Sequence, residues 1–359
     1  MTEPDQSDSP LGCKFDNPLP GVPAVESPFF ERLFSHADSH IRRVACDLHV
    51  NGFAVIDFPD ADLDQMASQI GAALSSSFDL ESWRRDGHSK RSGVRIQDAW
   101  RTEPNVRRIA ANAQILQLLS TLYGRRAWPF QTLNFPVGTQ QNFHSDSVHF
   151  SSMPERFMCG VWVALEDVDV DNGPLVYYPG THKWPIFTNE HLGMCVAETD
   201  RSIVANIYEQ VWSGLVDAAG IKPAYFHARK GQALIWAANL LHGGAEHRNP
   251  DRTRWSQVTH YYFDNCAYYT PMHSDPAYGH IAFREQIDIA TGNLIPNRYA
   301  GHLVPREFIN ATNPNALRLP AEFDPVQYYA ANPDVREAGV DAGEHWMRHG
   351  RFEQRRLAP

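Results

Sequence analysis

Two rhythms of hydrophobic and polar positions divide this chain. In its first third the apolar residues recur every three or four positions, the spacing of a single helical face. The stretch from "SPFFERLF" to "CDLHV" (residues 27–50) and "DADLDQMASQIGAAL" (60–74), with Asp residues near its start, predict helices. "EPNVRRIAANAQILQLLSTLYG" (103–124) predicts one further helix ended by Gly124. Between the first two, "GFAVIDF" (52–58) reads as a strand.

Beyond Gly124 the rhythm shortens. "PFQTLNFPV" (129–137), "NFHSDSVHF" (142–150), "FMCGVWVALEDV" (157–168), "PLVYYPG" (174–180), "AYFHARKGQALIWAA" (224–238) and "RWSQVTHYYFD" (254–264) are short β-rich runs broken by Gly, Pro and Asn. Helices first and strands later predict an α+β chain with a mainly β core, in which helices pack on an antiparallel barrel or sandwich of the jelly-roll kind. No tandem repeat is visible. Residues 1–27, with Pro at 4, 10, 18, 20 and 23, read as a flexible leader or a strap over the surface. A boundary is expected in "ATNPNALRLPAEFDP", separating a domain over 28–308 from a small helical module over 320–359.

Composition narrows the function classes. A formal charge of −10 on 359 residues excludes a general nucleic-acid or anionic-membrane surface, because phosphate binding needs clustered Lys and Arg. A small-molecule substrate fits better. The five cysteines are odd in number, scattered and never in a C-x-x-C pair, so neither a disulfide framework nor a zinc knuckle is expected, and a reducing cytoplasm is the default. "MTEPDQSDSPLG" has no apolar core of a signal peptide, and the longest apolar stretch, "QALIWAANLL", is too short to span a bilayer.

The chemistry concentrates in "NFHSDSVHF". Burying His144, Asp146 and His149 beside Phe143, Val148 and Phe150 is costly unless something holds them. On a strand, residues i and i+2 share a face, so His144 and Asp146 would project together as two ligands of one metal. The third candidate is His242, read as ending an apolar strand just before a Gly-Gly turn. Two histidines and one carboxylate leave coordination positions open, which suits Fe(II) oxygen chemistry rather than a closed zinc site. Arg254 follows at the start of "RWSQVTHYYF", a planar fork suited to holding one carboxylate of a dicarboxylate cosubstrate.

Together "FHSDSVHF", "VWVALEDVDVDNGPLVYYPGTHKWP" and "KGQALIWAANLLHGGAEHRNPDRTRWSQVTHYY" resemble the phytanoyl-CoA dioxygenase family of Fe(II)- and 2-oxoglutarate-dependent oxygenases, which includes ectoine hydroxylase, over roughly Gly52 to Phe263. The resemblance implies a double-stranded β-helix, iron held by His144, Asp146 and His242, and Arg254 paired with the far carboxylate of 2-oxoglutarate. It also implies that Asn134, on the preceding strand, touches the cosubstrate, and that O₂ is consumed with release of succinate and CO₂ as an unactivated C–H bond is hydroxylated. Desaturation or ring formation would share the same start. Halogenating relatives replace the carboxylate by a small residue, so Asp146 disfavours halogenation. Two departures stand out: Gly244 where the family often has Ser, and a His-to-Arg loop one residue longer, which keeps Arg252 as an alternative to Arg254.

Other polar residues carry plainer readings. His149 is expected to support the site or face the substrate, His182 and His247 to serve turns, and Asn172 and Gly173 a tight hairpin. Gln131, Trp162 and Tyr178 either line the pocket or fill the core. The His345 and His349 pair, four apart on a helix, reads as packing rather than as ligands. "NPDV" and the "HGRFEQR" ending resemble a short bacterial repeat found beside enzymes of surface-glycan metabolism. Two other functions compete with the oxygenase: a cupin-like metal- or ligand-binding protein without turnover, and an oxygenase subunit recruited to a glycan-assembly complex through the C-terminal module.

Overall fold

The computed structural model describes residues 17–85, 94–196, 201–312, 319–320, 322–346, 350, 353 and 355–359. The N-terminal helices are α1 (Phe30–Leu33), α2 (Ser39–Asn51), α3 (Leu63–Leu74), α4 (Leu80–Arg85), α5 (Pro104–Ala110) and α6 (Ala113–Tyr123). Asp38 caps α2 by accepting the Ile41 N–H at 2.9 Å, and Gly52 ends it at φ +84°. A Cβ at Gly52 would also lie 2.5 Å from the His182 ring, so only glycine lets the helix end there.

The single helix expected over 103–124 is two. Asn112 turns its side chain back to accept the N–H groups of Gln114 and Ile115, which starts a new helix instead of continuing the old one. Gly124 does end it, at φ +75°.

The main sheet contains β1 (Phe53–Asp57), β2 (Ile96–Gln97), β3 (Ala127–Phe135), β5 (Met158–Ala164), β8 (Gln232–Ala237) and β10 (Ser256–Phe263), in the order β1-β8-β5-β10-β3-β2 with every pairing antiparallel. A second sheet has the order β7-β6-β9, from β6 (Leu175–Tyr177), β7 (Ala224–Phe226) and β9 (His242–Gly244). β4 (Ser151–Met153) pairs with β11 (Ala267–Tyr269). One face of the main sheet packs under the N-terminal helices, where Val161, Val163 and Ile235 meet Val44, Ile70 and Leu119. Its other face, with Leu133, Trp162, Leu234 and Val258, meets Tyr177 and Phe226 of the second sheet. Burial on both faces is why runs such as "MCGVWVA" are apolar throughout instead of alternating.

Helix α7 (Arg201–Ala219) lies in a stretch for which no element was expected. Val204, Tyr208, Trp212 and Val216 recur every four residues and pack on Val148, Leu241 and Met272. At the N-terminus, Ala24 and Val25 join the main core, so the leader expected through residue 27 is anchored from there, while residues 1–16 lie outside the described residues. The expected domain end at 308 falls inside α8 (Arg306–Thr312), whose Ile309 packs with Ala267 and Phe283. Helices α9 (Pro325–Ala331), α10 (Pro333–Glu337) and α11 (Ala342–His345) gather Tyr328, Val335 and Ala342 into a separate apolar cluster. The Tyr328 hydroxyl bonds His345 Nδ1 at 2.9 Å, and His349 lies outside the described residues.

Candidate metal centre

His144 and Asp146 do not stand on a strand. His144 forms an isolated bridge with His242, each backbone N–H donating to the other's carbonyl at 2.9 and 3.0 Å. Asp146–Val148 is then a single 3-10 turn, because the Ser145 hydroxyl accepts the Ser147 N–H at 3.3 Å and pulls the chain out of extension. His242 is also placed differently. β8 ends at Ala237, the chain turns through 238–241, and His242 opens β9 in the second sheet. Gly243 and Gly244 are therefore strand residues rather than a turn. A Cβ at Gly243 would sit 2.7 Å from the Gln141 carbonyl oxygen, and one at Gly244 would sit 2.6 Å from Thr139 Oγ1, so the 139–143 segment leaves no room for a side chain there.

This geometry brings the three side chains together. One donor atom from each of His144, Asp146 and His242 lies within 4.8 Å of the others. His144 Nε2 is 3.6 Å from Asp146 Oδ1, and His242 Nε2 is 3.8 Å from Oδ2. Each of the three side chains is held from behind. His144 Nδ1 bonds the Asn142 carbonyl at 3.1 Å and His242 Nδ1 the Leu240 carbonyl at 3.0 Å, which leaves both Nε2 atoms facing inward as acceptors. The Trp236 indole N–H donates to Asp146 Oδ2 at 2.9 Å. Burial works against the Asp146 carboxylate, but the surrounding imidazoles and this N–H outweigh it and hold the group below the usual carboxylate range. Burial, with His242 beside it, keeps the His144 imidazole neutral well below its ordinary range. Two imidazoles and one carboxylate form a donor set for a divalent first-row metal.

Sequence reasoning missed His260. It is buried on β10, with Nε2 3.6 Å from Asp146 Oδ2 and Nδ1 bonded to Gln131 Oε1 at 3.0 Å. The signal was the period of two from Arg254 through Ser256 and Val258, which puts residue 260 on the same face. Asn134 is a correction. Gln131, Leu133 and Phe135 line the cavity, so Asn134 points to the other side of β3, where its Nδ2 donates to Gln257 Oε1 at 3.3 Å. Tyr178 also faces away and packs on Phe143 with ring centroids 5.0 Å apart, while its neighbour Tyr177 lines the cavity. Trp162, Gln131 and His149 do line it.

The cavity measures about 360 Å³. Arg254 borders it and is 1% exposed. Its Nη1 donates to Ser256 Oγ at 2.8 Å, its Nε has no hydrogen-bond partner, and no carboxylate pairs with it among the described residues. Burial lowers its pKa to about 10, partly offset by Glu166. Arg252, the alternative, lies outside: its Nη1 reaches both carboxylate oxygens of Asp169 at 2.8 Å in a partly exposed ion pair. His247 accepts the Gly138 N–H through Nδ1 at 3.1 Å and holds its loop through Nε2, and His182 sits in a 3-10 turn, so both serve structure.

The phytanoyl-CoA dioxygenase (PhyH) family model matches residues 48–255, more than half of the chain. This chain belongs to the phytanoyl-CoA dioxygenase family. Peroxisomal phytanoyl-CoA dioxygenase of Rattus norvegicus is 24% identical over 188 residues, 50% of this chain and 52% of that protein. A probable phytanoyl-CoA dioxygenase of Caenorhabditis elegans is 34% identical over 58 residues, 16% of this chain and 19% of that one. The chain thus spans about half the length of the rat relative it matches. Among solved structures, the epimerase SnoN in complex with Fe3+, alpha ketoglutarate and nogalamycin RO has a TM-score of 0.47 at 20% identity, covering 64% of this chain and 86% of that one. EctD from S. alaskensis with 2-oxoglutarate and 5-hydroxyectoine has a TM-score of 0.44 at 16% identity, covering 88% of this chain and 92% of that one.

Proposed function

We propose that this member of the phytanoyl-CoA dioxygenase family is an Fe(II)- and 2-oxoglutarate-dependent oxygenase that hydroxylates an unactivated C–H bond of a small-molecule or carrier-bound substrate and releases succinate and CO₂. One observation carries the reading: a fully buried arginine with no carboxylate paired to it among the described residues borders the same cavity as a two-histidine, one-carboxylate donor set. A buried guanidinium that a neighbouring carboxylate offsets only in part is costly unless an anion arrives to pair with it. A dicarboxylate that chelates the metal at one end and meets Arg254 at the other satisfies both features.

The residues fit the group. His144, Asp146 and His242 would hold iron, and Arg254 would hold the far carboxylate of 2-oxoglutarate. When bound, the metal supplies the oxygen chemistry that couples 2-oxoglutarate decarboxylation to C–H attack. The chain's own task is orientation and exclusion of water. The carbonyls of Asn142 and Leu240 fix the imidazoles, Trp236 fixes the carboxylate, and Met272, packed in one apolar cluster with α7, lines the cavity wall. Asp146 keeps the anionic ligand that hydroxylation requires.

The two sheets, sharing one apolar layer and contributing His242 from one and His260 from the other, fit a double-stranded β-helix over residues 28–312. Residues 320–359 with their own small cluster fit an accessory module and a docking point for a protein partner. The free thiols of Cys46, Cys159 and Cys266 fit a cytoplasmic setting. Release of succinate from 2-oxoglutarate, measured with Fe(II) and ascorbate, tests the reading. Binding of 2-oxoglutarate without any succinate would instead assign a non-catalytic binding protein.

A further inference from the structure

The cavity has a second cationic wall that the iron and 2-oxoglutarate reading leaves unused. Arg284 lines it from the stretch after β11. Its backbone is pinned, with its N–H donating to the Tyr268 carbonyl at 2.7 Å and its carbonyl accepting from Asn297 Nδ2 at 3.1 Å. The guanidinium carbon lies over the Phe150 ring, 4.7 Å from its centroid, and 5.9 Å from that of Phe130. Its described hydrogen bond runs from Nη1 to Thr270 Oγ1 at 3.3 Å, its Nε is buried without a partner, and no carboxylate pairs with it among the described residues. The Phe150 ring in turn stands 5.1 Å from His260, which touches Asp146. Arg284 therefore sits one aromatic ring and one imidazole away from the metal ligands.

Charge makes the excess specific. Among the described residues, Asp146 is the sole acidic one on the cavity wall, against Arg95, Arg254 and Arg284. On the oxygenase reading, a divalent metal, the two carboxylates of 2-oxoglutarate, Asp146 and Arg254 cancel one another. Arg284, and Arg95 at the exposed rim, pair with no carboxylate among the described residues, in a protein whose net charge is −10.

We propose that the primary substrate carries an anionic group, a carboxylate or a phosphate, that Arg284 holds on the Phe150 side of the cavity while an apolar part of the substrate faces the metal. The inference rests on the oxygenase reading of the same site. Arg284 is a substrate-positioning residue: a guanidinium already stacked on an aromatic ring loses little freedom on pairing, and its free N–H groups match a planar carboxylate or a phosphate edge. Phe150 and Met272 supply the apolar surface beside it.

The test uses the full chain loaded with Zn(II) in place of iron and saturated with 2-oxoglutarate, so that binding is read without turnover. Calorimetric titration compares phenylacetate and benzyl phosphate with the neutral phenylacetamide and benzyl alcohol. One of the two anions should bind about ten- to a hundredfold more tightly than its neutral partner, and which one identifies carboxylate or phosphate. Arg284→Gln should erase that preference and Arg284→Lys restore part of it. Equal affinity for anionic and neutral probes, no measurable binding of either anion, or a preference that survives Arg284→Gln would overturn the proposal. So would a loss confined to 2-oxoglutarate affinity in Arg284→Gln, which would make Arg284 a cosubstrate residue. A 2-oxoglutarate affinity indifferent to Arg254→Gln would instead remove the oxygenase reading, whatever the probes do.

Discussion

The indole N–H of Trp236 donates to Asp146 Oδ2 across 2.9 Å in the buried interior of the site. Gly160, its register partner on β5, makes that position available: a Cβ there would lie 2.0 Å from the Trp236 ring. Trp236→Phe should leave the sheet folded but free the carboxylate to swing, weakening divalent-metal affinity by about ten- to a hundredfold, the usual effect of losing a partner behind a ligand. Gly160→Ala should weaken it similarly by displacing the indole. Metal titration of both variants checks this, and unchanged affinity would show that Asp146 is positioned by other contacts.

His144→Ala, Asp146→Ala and His242→Ala should each bring succinate release to background while the far-UV circular dichroism spectrum stays that of the parent. The three side chains sit at the edge of the cavity, outside both large apolar layers, so their loss removes donors without opening the core. Turnover near the parent level in any one of them would remove that residue from the ligand set.

What could be read from the sequence was whatever a local period encodes. The strands showed as short apolar runs, and His144, Asp146, His242 and Arg254 stood out by residue type and order. Local competition hid the rest. Asn112 and Ser145 each redirect the backbone through their own side chains, and no period marks such a break. The face of β3 was misread for Asn134, because a strand buried on both sides gives no polar alternation to tell which residues face the cavity. His260 lay in plain view of the period from Arg254 but was hidden among the aromatic residues of "THYYF". Helix α7 lies in a stretch to which no element was assigned, although its apolar positions recur every four residues.

Stability of the metal-free protein should fall as pH drops from about 6.5 towards about 4, with His182 as one contributor. Burial lowers its pKa from 6.5 to about 4, with its Nε2 on the His49 carbonyl and Lys183 and Arg156 nearby. A depressed folded-state pKa means that the unfolded chain takes up the proton first. The stabilisation is therefore complete above the unfolded value and is lost on acidification, at up to about 1.4 kcal/mol per pH unit for one group. Urea denaturation of the parent and of His182→Asn across this window should show a shallower pH slope in the variant. Parallel slopes would mean that His182 does not carry this dependence.

The chain should tolerate truncation after Thr312 better than after Phe308. The shorter form loses Ile309, buried against Ala267 and Phe283, and the backbone bond from the Ile281 N–H to the Thr312 carbonyl at 2.8 Å. Losing a buried aliphatic side chain alone costs about 2 to 5 kcal/mol, enough to separate the two forms by thermal melting. Equal melting temperatures would place the domain end earlier, where the sequence suggested it.

The register of β10 decides between the two arginines. Ser256 pairs with Ala164 on β5 and Phe135 on β3, which puts Arg254 at the cavity and leaves Arg252 with Asp169 on the surface. Arg254→Ala should raise the apparent KM for 2-oxoglutarate by tens to thousands of fold, since losing one partner of a buried charge pair costs about 2 to 5 kcal/mol, with metal affinity little changed. Arg254→Lys should recover only part of this, because an ammonium keeps the charge without the planar fork. Arg252→Ala removes a partly exposed ion pair worth less than about 1 kcal/mol and should change KM little. Steady-state kinetics on the three variants decides the matter: a large KM change in Arg252→Ala with none in Arg254→Ala would mean that the strand is shifted by one pleat repeat, with Arg252 rather than Arg254 at the cavity.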